Sequence, residues 1–94
     1  MIKTTKLPNG GEFYEDFKGN KSWYLHDKPH REDGPALDYV SGNKFWYING
    51  KRHREDGPAA ECVDGEKYWF LNGEQIVCET QDQFKRLLKL KAFW

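Results

Sequence analysis

The heptapeptide His-Arg-Glu-Asp-Gly-Pro-Ala stands at residues 30–36 and again at 53–59. The same step of 23 residues links Trp23 to Trp46 and Trp69, Gly19 to Gly42 and Gly65, and Lys21 to Lys44 and Lys67. Leu25, Ile48 and Leu71 follow it too. A chain built on such a period stacks one small unit on the next, and each unit buries its apolar side only against its neighbours. Units at about 11–33, 34–56 and 57–78 follow from the alignment.

The middle unit shows what one period encodes. Ala36-Leu-Asp-Tyr-Val40 is strand-like and is followed by Ser41-Gly42. Lys44-Phe-Trp-Tyr-Ile48 is strand-like again and is followed by Asn49-Gly50. Short β-prone runs around such pairs are hairpin signals. Lys51 to Asp56 reads as a polar loop, and Asp56-Gly57-Pro58 as a further turn. Each unit is therefore expected to be one β-hairpin, and the units together one antiparallel meander. Beyond the last unit, Thr80 with Gln83 three residues later is a capping-box pattern. Phe84, Leu87 and Leu88 then fall at helical spacing, with Lys85, Arg86 and Lys89 on the other side. This predicts a helix from about 81 to 92. The fold class is mainly β: a single domain, 1–94, of three hairpin units and a C-terminal helix.

The bulk numbers narrow the function classes. Fifteen basic and fifteen acidic residues cancel, whereas binding a nucleic-acid backbone needs a basic excess on one face. No apolar run is long enough to span a bilayer. The first residues, MIKTTKLPNGG, lack the apolar core of a secretory signal. Cys62 and Cys78 have no metal-binding or redox spacing and read as free thiols. A cytoplasmic location is expected.

The stretch WYINGKRHREDGPAAECVDGEKY resembles the MORN repeat, which has the same period. The matching residues are Trp46, Asn49, Gly50, His53, Gly57, Asp64 and Gly65. MORN units usually place a glycine directly after the histidine, where this chain has Arg54 and Glu55. A closer likeness is to the H-R-x-D-G-P-A repeats of small proteins from bacteriophages and large DNA viruses. The resemblance covers about residues 11–78 and implies a binding role, such as partner binding or dimerisation, rather than catalysis.

The repeated heptapeptide has four chemical readings. A zinc site needs ligands about 2 Å from one ion, but equivalent residues two strands apart are separated by about 10 Å. No metal or other cofactor is expected. No serine or cysteine recurs in register beside the histidines, so no catalytic residue is assigned and no enzyme activity is expected. His30, Arg31, His53 and Arg54 could hold a phosphate-bearing or nucleotide ligand, since arginine suits bidentate oxyanion contacts. Against this, each loop also carries two acids. The remaining reading is structural: the loops tie one unit to the next and fix their register.

Alternation along Phe45-Trp46-Tyr47-Ile48 places neighbours on opposite sheet faces. One helix covers only part of one face, which leaves an aromatic surface for a partner or a second copy. The candidates are Tyr24, Tyr47 and Phe70, or else Trp23, Trp46 and Trp69, with the tryptophans better suited to the core. Homodimerisation through a sheet face or the helix is an alternative use of the same surfaces. The expected function is non-catalytic protein binding, and the viral likeness suggests an accessory protein that inhibits a host defence protein. The alternative is a sponge for a small phosphate-bearing ligand at the repeated loops.

Overall fold

A computed structural model describes residues 3–91. The strands are β1 (Lys3–Lys6), β2 (Glu12–Glu15), β3 (Lys21–Leu25), β4 (Lys28–Pro29), β5 (Leu37–Asp38) and β6 (Lys44–Phe45). They continue as β7 (Tyr47–Ile48), β8 (Lys51–Arg52), β9 (Ala60–Glu61), β10 (Lys67–Leu71) and β11 (Glu74–Ile76), before the helix α1 (Gln81–Lys91). The main sheet runs β1-β2-β3-β5-β6-β9-β10-β11, with β4 paired to β3, while β7 and β8 form a separate two-stranded sheet. Every pairing is antiparallel. The molecule is thus mainly β, an antiparallel meander with one C-terminal helix, as the sequence pattern predicts. The predicted helix end near 92 lies outside the described residues.

Three details depart from the sequence reading. Lys51 and Arg52 are not loop: they pair back onto Ile48 and Tyr47, so the middle unit contains a second hairpin. Asn49 and Gly50 both take positive φ there, 51° and 81°, the geometry of a tight two-residue hairpin turn. Asn72 and Gly73 repeat it, at 52° and 84°. In the first unit His26 and Asp27 take the same conformation, at 52° and 63°, without a glycine, and for that reason no turn signal marks the place. The second departure is at Trp46, which leaves the strand between β6 and β7. Its N–H donates to Ala59 C=O, while Tyr47 C=O accepts from Arg31. The small sheet begins after the tryptophan, although Trp46 makes the same backbone bond to an alanine carbonyl as Trp23 does inside β3. Third, the N-terminal strand β1 adds an edge to β2 that lies outside the repeat.

A charge rung crosses the main sheet. Lys21 is opposite both Glu15 and Asp38, Lys44 opposite Asp38 and Glu61, and Lys67 opposite Glu61. Lys44 Nζ reaches Asp38 Oδ1 at 2.8 Å. Opposite charges facing each other across strands stabilise a sheet modestly, and here they also fix register.

The helix starts as its cap predicts. Gln83 N–H donates to Thr80 Oγ1, and Gln83 Oε1 accepts from Glu79 N–H. Phe84 is fully buried against Trp69 and Leu71, with Ile76, Cys78 and Leu88 around them. Leu87 is more than one-third exposed and lies at the margin of this core. Cα positions extend over 44 × 30 × 16 Å. With packed layers about 10 Å apart, the thin dimension holds one sheet and one further layer.

Candidate functional site

Contacts sort the strand side chains onto two faces. Trp23, Trp46 and Trp69 share the first with the repeated loops and α1, here called the loop face. Tyr24, Tyr47 and Phe70 are on the second, the tyrosine face. The six residues expected to bind a partner are therefore divided between two opposite surfaces.

On the loop face nearly every letter of the heptapeptide has an internal role. Arg31 lies over the Trp23 ring, its guanidinium carbon 3.7 Å from the ring centroid, and Arg54 lies over Trp46 at 4.0 Å. Each arginine donates from Nε to the aspartate two residues on, Asp33 or Asp56, at 2.9 Å. Each also donates from Nη1 to the carbonyl of Pro35 or Pro58. Arg54 Nη1 reaches Glu61 as well. A Cβ on Gly34 or Gly57 would stand 2.8 Å from the guanidinium carbon, so the arginine would have to shift over its ring to make room. Ala36 and Ala59 are fully buried, and their amides bond the next strand at Phe45 and Tyr68.

The histidines join units. His30 Nδ1 accepts from Asn49 N–H, and His53 Nδ1 accepts from Asn72 N–H. The ring nitrogen facing the turn thus satisfies a backbone amide of the following hairpin. Glu32 and Glu55 approach the other ring nitrogen at 3.8 and 3.5 Å and are largely exposed.

Between the two loops lies an open concavity of about 640 Å³ lined by Arg31, Glu32, Asp33, Trp46, His53, Arg54, Glu55 and Asp56 among others. Four carboxylates face two guanidinium groups there, and both arginines are already tied to acids. Arg31 holds the Asp33 carboxyl below its ordinary range, chiefly through their hydrogen bond. An incoming anion would meet a surplus of negative charge. Among the described residues, no three His, Cys, Asp or Glu side chains are grouped as a metal ion would require.

Past the second loop, α1 takes the position that a third would occupy. Gln81 accepts from Trp69 Nε1 and donates from Nε2 to Asp56 C=O. The third tryptophan is buried under the helix, while the first two are half-buried under arginines.

The tyrosine face has no described element over it. Tyr14 and Tyr24 meet edge to face at 5.5 Å and line, with Ser22 and Asp27, a shallow hollow of about 400 Å³. Tyr39 meets Phe45 the same way at 6.1 Å. Tyr39 and Tyr68 are 38% exposed. Their neighbours are half-buried by one another. Tyr14 and Tyr68 donate their hydroxyls to Glu12 and Glu66, which raises both phenol pKa values. Between Phe45, Tyr47 and Phe70 sits Arg52, with its guanidinium carbon 5.2, 6.0 and 5.2 Å from the three ring centroids. Its Nε donates to Tyr47 Oη at 3.2 Å. Sequence reasoning missed Arg52 because it is used in one unit only. The step of 23 puts Pro29 and Gln75 at the corresponding places.

Cys62 and Cys78 are free and half-buried, and burial pushes the Cys78 thiol pKa up. No helix among the described residues is long and apolar enough to cross a membrane. In comparisons with known proteins, no family model, curated protein or solved structure matches this chain.

Proposed function

We propose that the chain is a non-catalytic binding module whose tyrosine face docks a protein partner. The observation that carries this reading is the uncovered row of aromatic side chains, set on the sheet face opposite the helix and both repeated loops. Tyrosine supplies large contact area at low ordering cost, and tyrosine and arginine are enriched in binding hot spots. Tying the Tyr14 and Tyr68 hydroxyls to carboxylates two residues away removes rotamer freedom before a partner arrives. The resemblance to repeats of bacteriophages and large DNA viruses makes a host protein, in the host cytoplasm, the first partner class to test.

The test uses the full chain with a photo-crosslinking residue at Tyr47, and a second version with it at Lys28 on the other face. A partner crosslinked from 47, and bound at least tenfold more weakly by the Tyr47→Ala/Phe70→Ala protein that still melts cooperatively, supports the reading. Equal affinity of that double variant would remove the tyrosine face from consideration. Native mass spectrometry separates the competing reading: a small molecule retained by the wild-type protein and lost in Arg31→Ala/Arg54→Ala would make the loops a ligand sponge.

A further inference from the structure

The three arginines of the sheet faces differ in their counter-charges. Arg31 and Arg54 each have a carboxylate at 2.9 Å. Among the described residues no carboxylate lies within ion-pair distance of Arg52, and its guanidinium donates only to the Tyr47 hydroxyl. Elsewhere on this face Glu12 and Glu66 accept from tyrosine hydroxyls, and Glu12 is also paired with Lys6. A guanidinium has five N–H donors in a planar fork, and here aromatic rings hold that fork at the surface. The strand fixes its base: Arg52 C=O accepts from Gly73 N–H at 2.8 Å, and the residue pairs with Tyr47 across the hairpin.

We infer that Arg52 is the anchor for an aspartate or glutamate side chain of the partner protein, received between Phe45, Tyr47 and Phe70 together with an adjacent apolar side chain. This rests on the tyrosine face being the docking surface. The argument is charge complementarity: a positive fork without an internal carboxylate, in an apolar surround where an ion pair is strengthened by loss of water. The partner is a protein rather than a nucleic acid. A phosphate backbone is bound by several spaced cations, and among the aromatic rings of this face stand one guanidinium and Lys6, which is already paired with Glu12.

The probe pair is 3-phenylpropionate and its neutral amide, titrated into the isotope-labelled full chain while the Arg52 Nε–H resonance is followed. A fragment of this size binds in the millimolar range at best, so the titration runs to about 20 mM. The carboxylate is expected to saturate the Arg52 signal at about fivefold lower concentration than the amide, and Arg52→Gln should abolish that preference. Equal response to the two probes, no response to the carboxylate, or a preference that survives in Arg52→Gln would overturn the inference. If Arg52→Gln does not fold, the carboxylate–amide comparison on the wild-type chain decides alone. Probes that perturb Tyr47 and Phe70 without preferring the carboxylate defeat the Arg52 assignment but leave the docking face intact. A crosslinked partner indifferent to Tyr47→Ala/Phe70→Ala defeats the face itself.

Discussion

The loop face and the tyrosine face are carried by the same strands, yet they use aromatic–arginine stacking in opposite ways. On the loop face each tryptophan is closed over by an arginine whose donors go to an aspartate and a proline carbonyl of its own loop. On the tyrosine face Arg52 stacks among three rings but meets no carboxylate among the described residues. The first arrangement is complete within the chain, and the histidines extend it to the next hairpin. The second leaves aromatic area and charge available. The difference teaches that the exact internal repeat here marks contacts closed within the chain, while the arginine that breaks the repeat keeps its charge without an internal carboxylate among the described residues.

This contrast can be broken most sharply with two phenylalanines. Phe84 is fully buried between the helix and Trp69, so Phe84→Ala should cost about 3–4 kcal/mol, as large-to-small core changes do. Phe70→Ala, on the half-buried tyrosine face, should cost about 1 kcal/mol. Urea melts of both variants check this, and equal losses would mean that the tyrosine face is core.

The arginines give the next effect. Arg54→Lys removes a ring stack, the Nε bond to Asp56 and the Nη1 bonds to Pro58 C=O and Glu61, and should cost about 2 kcal/mol. Arg52→Lys keeps a charge beside the rings and should cost less than about 1 kcal/mol. The same melts measure both, and a larger loss at Arg52 would reverse the roles assigned to the two faces.

The smallest effect concerns pH. The Asp33 carboxyl is held below its ordinary value of 3.8 by Arg31. The unfolded chain therefore binds that proton more tightly, and the stabilisation is present above that value and lost as pH falls through and below it. The wild-type advantage over Asp33→Asn should be steady near neutrality and vanish in acid. Tyr14 has the opposite sign: its hydroxyl is raised above 10.0 by the bond to Glu12. Any advantage over Tyr14→Phe is present below that value and lost as pH rises past the raised one. Melts across both ranges test the two signs.

Much of this was legible in the residues. The step of 23 residues, the Asn-Gly pairs and the Thr80–Gln83 cap announced hairpins and a helix through local chemistry. The division of Trp46 from Tyr47 followed from alternation. The strand at Lys51–Arg52 was not legible, because two polar residues after a turn carry no hydrophobic period and pair only by virtue of the hairpin's backbone twist. The first turn, at His26-Asp27, was hidden because neither residue is a glycine. The closure of Arg31 over Trp23 was equally invisible. Sequence placed the arginine on the loop, but that it folds back was decided by where the Trp23 ring, the Asp33 carboxylate and the Pro35 carbonyl meet it in space.

The amino-acid sequence by itself determined the period, the β class, the hairpin turns and the capped helix, because those depend on backbone preferences within a few residues. Only the tertiary structure decided which aromatic row is covered, which arginines find acids, and that Gln81 of the helix closes the array. Those outcomes depend on which groups meet across 19 or more residues of chain, as the Asn49–His30 and Asn72–His53 bonds do at a separation of 19 and the Gln81–Asp56 bond at 25.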